Sequence, residues 1–165
     1  MESYDYRSRV GSIDWVPEDE AASRDGGPAL ASEEHASYPF LLEHRGDVYC
    51  IPQLARSRGV HLFRARQFQV AWEPVAVLAE AVRALDPTVV EHDGRWWLFF
   101  TDADDGPLTK LRVWFADDLL GSWCPHPGNP VKPDIRSARP AGTPFVHDGA
   151  LYRPAQDCSR TYGAR

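Results

Sequence analysis

The chain has 165 residues, 43% of them apolar and 25% charged, with a net charge of −6. That is enough for one domain with a sizeable core. Only two lysines, Lys110 and Lys132, and no basic run argue against nucleic acid or an anionic membrane surface as a partner. Apolar runs such as Trp96–Phe100 are far too short to cross a bilayer.

Three cysteines, Cys50, Cys124 and Cys158, share no Cys-x-x-Cys spacing and read as reduced thiols of a cytoplasmic protein. The polar, acidic start is no signal peptide. Fourteen prolines and twelve glycines punctuate the chain, and six tryptophans with 12% aromatic residues favour many short strands over long helices.

Residues 1–17 read as outer strands of one structural unit, with Trp15 and Pro17 in a Trp-x-Pro spacing. Residues 17–37, rich in Glu, Ala, Gly and Ser, read as a loop. From Tyr38 a hairpin follows, "YPFLLEHRGDVYCIP", turning at Arg45-Gly46-Asp47, and a further strand pair ends near Trp72-Glu73-Pro74-Val75. "VAVLAEAVRAL" has weak helical character, but its β-branched start suits a fourth strand and a linker. A second hairpin, "DPTVVEHDGRWWLFF", turns at Asp93-Gly94. It is followed by a strand with alternating Leu111, Val113 and Phe115, and by a closing strand near Trp123. A third hairpin, "TPFVHDGALYRPA", turns at Asp148-Gly149. Asp-Gly between apolar runs is a strong hairpin signal because both central positions need positive φ.

These segments repeat. Tyr38–Pro52 aligns with Asp86–Phe100 at an offset of 48, and Leu62–Pro74 with Val113–Pro125 at an offset of 51. Four antiparallel strands in a repeat of roughly 50 residues is the signature of a β-propeller blade. The expected architecture is all-β: blades over 38–80 and 86–131, the first half of a further blade over 139–165, and the outer strands of a preceding one over 1–17. An antiparallel sandwich of hairpins is the competing reading, and the period argues against it. Trp72 and Trp123 recur at one repeat position and are expected between blades. Trp96 and Trp97, adjacent on a strand, must face opposite ways. His44, His92 and His147 recur at the hairpin turns, which marks architecture, and no His or Cys spacing calls for zinc.

Together the motifs "YDYRSRVGSI", "SYPFLLEHRGDVYCIP", "DPTVVEHDGRWWLF", "HPGNPV" and "DIRSARPAG…DGALYRPAQDCS" resemble the propeller domain of glucosamine inositolphosphorylceramide transferases and their bacterial relatives. That family is in turn similar to the five-bladed propellers of glycoside hydrolase family 43 and the invertase–levansucrase group. The resemblance implies a carbohydrate-active propeller, glycosidase-like or associated with a glycosyltransferase. It also leaves open a non-catalytic, accessory sugar-binding role and a fragment without activity of its own. Five blades would take roughly 250 residues at this repeat length, so this chain is expected to supply about three and to self-associate or pair with a chain that supplies the others.

Site candidates follow from the same comparison. Family 43 places a functional Asp in an Asp-Pro pair, matched by Asp86-Pro87; the corresponding first-repeat position is Tyr38-Pro39. Relatives carry Glu after Ile-Pro, where this chain has Gln53. Glycoside hydrolysis needs two carboxylates flanking the bond, and Asp157 is the second candidate beside Asp86. Asp102 lies in an acidic cluster with Asp104 and Asp105, for which a solvated loop is the plainer reading. Arg136, Arg139 and Arg153 offer guanidinium donors and Gln156 an amide suited to sugar hydroxyls. No phosphate-binding glycine loop or metal motif is present, and no cofactor is expected.

Overall fold

The computed structural model of the chain describes residues 1–16, 27–30, 32, 34–68 and 70–161. Those residues form fourteen β-strands and no helix, so no helix is long and apolar enough to cross a membrane.

The strands form four antiparallel sheets in chain order. The first contains β1 (Glu2–Asp5), β2 (Val10–Trp15) and β3 (Gly27–Pro28). The second is a four-stranded meander of β4 (Ala36–His44), β5 (Asp47–Leu54), β6 (Gly59–Gln67) and β7 (Ala71–Glu80). In the third, β8 (Ala84–His92), β9 (Arg95–Asp102) and β10 (Lys110–Ala116) pair in succession. Two short strands, β11 (Cys124–Pro125) and β12 (Lys132–Pro133), then both pair with β10. The fourth is the hairpin of β13 (Phe145–His147) and β14 (Ala150–Tyr152).

The three Gly-containing hairpin turns among the described residues have the backbone their sequence asks for. Arg45 and Gly46, Asp93 and Gly94, and Asp148 and Gly149 have φ of 52° and 85°, 53° and 69°, and 48° and 73°. Two consecutive positive φ angles match the right-handed twist of the flanking strands. The turns are closed by the pairs His44–Asp47, His92–Arg95 and His147–Ala150.

Neighbouring sheets pack face to face, and strand alternation sends successive side chains into different apolar layers. On β9, Trp96, Leu98 and Phe100 enter the main core shared with Ile51 and Leu62 of the second sheet. Trp97 and Phe99 face the other way, against Leu111, Val113 and Ala138. On β5, Tyr49 and Ile51 join the main core, while Cys50 packs with Ile13 and Leu30 under the first sheet. Trp123 packs on the main core and donates to Leu119 O at 3.1 Å, whereas Trp72 packs on the layer beneath the first sheet.

One expectation is met and another changes in detail. The segment "VAVLAEAVRAL" completes β7 through Glu80 and then links to β8, as its β-branched start suggested, with no helical turn. The loop expected over 17–37 lies partly outside the described residues, but Gly27–Pro28 pairs with Asp14 and Trp15 as a short strand and Ala36 already belongs to β4. The closing strand of the third sheet is broken in two for a visible reason. Pro125, Pro127, Pro130 and Pro133 cannot donate to a ladder. Asn129 fills the gap: its side-chain oxygen accepts from Val113 N and its amide donates to Val113 O, both at 2.8 Å.

Candidate functional site

The repeated X-Pro pairs build two equivalent bulges. Ser37 pairs with Gln53 and Phe40 with Ile51, so Tyr38 and Pro39 together face Pro52. Leu85 pairs with Thr101 and Thr88 with Phe99, so Asp86 and Pro87 together face Phe100. Tyr38 and Asp86 have φ of 47° and 50°. A non-glycine residue there costs on the order of 1–3 kcal/mol, and such positions cluster at functional sites. Each bulge also re-aims the side chain that precedes its proline.

Asp86 is the centre of a dense constellation, and it is 4% exposed. Its Oδ2 accepts from Arg139 Nε at 2.5 Å and from Gln156 Nε2 at 2.8 Å, and its Oδ1 faces Arg139 Nη2 at 3.5 Å. Gln53 Oε1 accepts from the Asp86 backbone N–H at 2.8 Å. Gln156 Nε2 also donates to Pro140 O, and its backbone N–H donates to Arg139 O.

Tyr38 joins this group through Thr88. Thr88 Oγ1 donates to Asp86 O at 3.1 Å, which spends its only proton, so Tyr38 Oη is the donor in its 3.1 Å bond to Thr88 Oγ1. Burial pushes the Tyr38 hydroxyl above the usual tyrosine range and the charge of Asp86 adds to the rise, while the Gly142 backbone and the charge of Arg153 act the other way. Arg153 donates to Pro154 O at 3.2 Å and to Ser137 O, and burial lowers its pKa from the ordinary arginine value. Tyr38, Gly142, Thr143 and Glu2 line an open cleft of about 360 Å³, and the Glu2 carboxylate accepts from the Tyr38 backbone N–H.

Five of the residues singled out from the sequence therefore meet: Tyr38, Gln53, Asp86, Arg139 and Gln156, with Arg153 in electrostatic contact with Tyr38. Three sit in other local settings. Asp102 is buried at the end of β9, where its Oδ1 caps the turn by accepting from Asp104 N at 3.0 Å. Arg136 is exposed beside Asp134. Asp157 Oδ1 accepts from Ser159 N at 2.9 Å. The other members of the acidic cluster are ion-paired: Asp104 with Arg58 and Arg83, Asp105 with Lys110 and Arg112. These guanidinium and ammonium groups hold both carboxyls below the usual carboxylate range. Thr88 was missed from the sequence. Its signal is a break in the repeat, since the matching first-repeat position is the core residue Phe40.

The sheet stack is that of the glycoside hydrolase family 43 (GH43) propeller enzymes. A GH43 enzyme from Xanthomonas citri, solved with xylotriose, superposes with a TM-score of 0.56 at 20% identity, over 76% of this chain and 41% of that one. A GH43 β-xylosidase/α-arabinofuranosidase from a compost microbial metagenome gives 0.57 at 18% identity, over 76% and 43%. Identities this low speak for the fold alone. Residues 12–165 match the family described as glucosamine inositolphosphorylceramide transferase 1, N-terminal, and the chain belongs to that family. Glucosamine inositolphosphorylceramide transferase 1 of Oryza sativa subsp. japonica is 36% identical over 144 residues, 84% of this chain, and that of Arabidopsis thaliana is 35% identical over the same length. The chain spans 19% of the length of these curated relatives.

Proposed function

We propose that this chain is a glycan-binding segment of a five-bladed propeller, accessory to glycosyl transfer and not itself a hydrolase. In this reading the second and third sheets are two blades, the first sheet the outer strands of the blade before them, and the β13–β14 hairpin the start of a fourth. The bulges at Tyr38 and Asp86 then open on the central funnel, where propellers bind ligands.

One observation carries the non-catalytic reading: the Asp86 carboxylate is already engaged by Arg139 and Gln156. A base or nucleophile must present an oxygen to water or substrate. The strand end that would hold a partner acid has the amide Gln53, and that amide is bonded to the Asp86 backbone. The residues that line the cleft offer instead the hydroxyls of Tyr38 and Thr143 and the carboxylate of Glu2, groups of the kind that recognise sugar hydroxyls.

The test is a glycan array probed with the purified chain, run beside an assay for release of sugar from aryl glycosides. Binding without turnover is expected. Turnover that Asp86→Asn abolishes would replace this reading with a hydrolase using Asp86 and Asp157.

A further inference from the structure

The segment between β5 and β6 carries a side-chain pair that the constellation at Asp86 does not use. Ser57 Oγ lies 2.7 Å from His61 Nε2. That separation is usual for a hydroxyl donor, whereas N–H donors sit at about 2.9–3.0 Å from oxygen. Ser57 Oγ therefore donates, and Nε2 accepts with the imidazole proton on Nδ1. Gly59 O, at 3.3 Å, is the more distant acceptor in reach of the same hydroxyl. A serine hydroxyl bonded to a neutral imidazole nitrogen is the nucleophile and base of covalent catalysis.

Both partners are held in place. The Glu34 carboxylate accepts from the backbone N–H groups of Arg56 and Ser57, the latter at 3.0 Å. Glu34 is itself fixed by Ser32 Oγ, which accepts from Glu34 N at 3.2 Å. On β6, Val60 enters the main core, so its neighbour His61 faces the other way and is only partly buried. Ser57 and His61 line an open cleft of about 530 Å³ that has Leu30, Leu54 and Phe63 as its apolar wall. It shares no lining residue with the cleft at Tyr38. Arg56 lines it too, and its guanidinium has no hydrogen-bond or ion-pair partner among the described residues. Such a group can donate to the oxyanion that forms when a carbonyl is attacked.

We propose that Ser57 is a reactive nucleophile, activated by His61, that takes the acyl group of a short-chain carboxylic ester held in this cleft. Ser57 Oγ bonds to the ester carbonyl carbon as its proton passes to His61 Nε2. The carbon–oxygen bond to the alcohol then breaks, and the leaving alkoxide takes that proton from His61. The products are an acyl-serine and the free alcohol. His61 Nδ1 bonds no described residue, so the base lacks the third group that orients it in faster sites. One acyl transfer to Ser57 follows from this arrangement, without rapid turnover.

The test incubates the full chain with p-nitrophenyl acetate, follows nitrophenol release and locates the acetyl group by peptide mass spectrometry. A burst stoichiometric with protein and an acetyl group on Ser57 are expected. Ser57→Ala should abolish the burst. His61→Gln keeps an acceptor for the Ser57 hydroxyl but no base, and should slow acetylation of Ser57 by about a hundredfold or more, as loss of a positioned base does. Should either variant fail to fold, as seen by circular dichroism, the position of the acetyl group in the unmodified chain decides. Acetylation only at lysines, or none at all, overturns the proposal. So does His61→Gln reacting at the parent rate.

Discussion

Asp86 and Arg139 stand 53 residues apart in the chain and 2.5 Å apart in the structure. The pair joins the bulge of β8 to the segment leading into β13, and both side chains are under 10% exposed, at 6% and 9%. Gln156, beyond the hairpin, closes on the same carboxylate oxygen and on Pro140 O. One carboxylate thus ties the third sheet to both ends of the fourth, where the apolar contacts are few: Phe145, Val146 and Tyr152 of that hairpin are about half exposed.

Breaking this pair from one side should be costly. Arg139→Gln leaves the buried Asp86 carboxylate without its cation, and such a loss destabilises by about 3–5 kcal/mol. The double variant Arg139→Gln/Asp86→Asn removes the stranded charge and should recover part of that loss. Urea unfolding of the two variants measures the difference. Equal stability would show that the pair does not tie the fourth sheet down.

The turn geometry makes a prediction independent of packing. Gly94 has φ of 69° and nothing within 4 Å of an added Cβ. Gly94→Ala therefore meets no clash, and its cost is the backbone term alone, about 1–2 kcal/mol. Arg45 is the converse case, a large side chain at φ of 52° ahead of Gly46. Arg45→Asn creates the Asn-Gly pair that this turn favours. It gives up only the exposed ion pair with Asp118, worth about 0–1 kcal/mol. Thermal melts should place Gly94→Ala below the parent chain and Arg45→Asn at or above it.

Much of this fold was legible because its signals are local. Each Gly-containing turn sits between apolar runs, and the alternation of Trp96 through Phe100 fixes which side chains enter which layer. The Tyr38-Pro39 and Asp86-Pro87 pairs stood out as site candidates, but the bulges they form and the left-handed backbone of Tyr38 and Asp86 showed only in the structure. What the sequence hid depends on side chains far apart in the chain. Gln156 reaching Asp86 across 70 residues has no periodicity to betray it. Asn129 standing in for a strand residue against Val113 has none either. The pairing of Asp104 with Arg58 and Arg83 turned an apparent acidic patch into structural ion pairs.

Sheet-to-sheet packing should dominate stability. Leu98 is fully buried in the main core between the second and third sheets, and Leu98→Ala should cost about 2–5 kcal/mol. Phe145 is 53% exposed on the β13–β14 hairpin, and Phe145→Ser should cost well under about 1 kcal/mol. Denaturant midpoints compare the two. A larger loss at Phe145 would mean that this ring is covered in solution by a surface the structure does not contain.

Cys50 gives the chain an alkaline limit. It is 1% exposed, and burial pushes its thiol up to about 12 from an ordinary 9.0. The folded pKa lies above the unfolded one, so the contribution is fully present below about pH 9. Above that, the unfolded chain releases the proton and the folded chain does not, and stability falls until the folded thiol also titrates. At about 1.36 kcal/mol per unit the loss reaches on the order of 4 kcal/mol at the far end. Cys50→Ala removes this term, so the stability difference between parent and variant should shrink steadily from pH 9 to pH 11. The same burial predicts that at pH 8 a thiol reagent labels the exposed Cys124 quickly and Cys50 only on unfolding. A pH-independent difference between parent and variant, or rapid labelling of Cys50 in the native chain, would contradict its place under the first sheet.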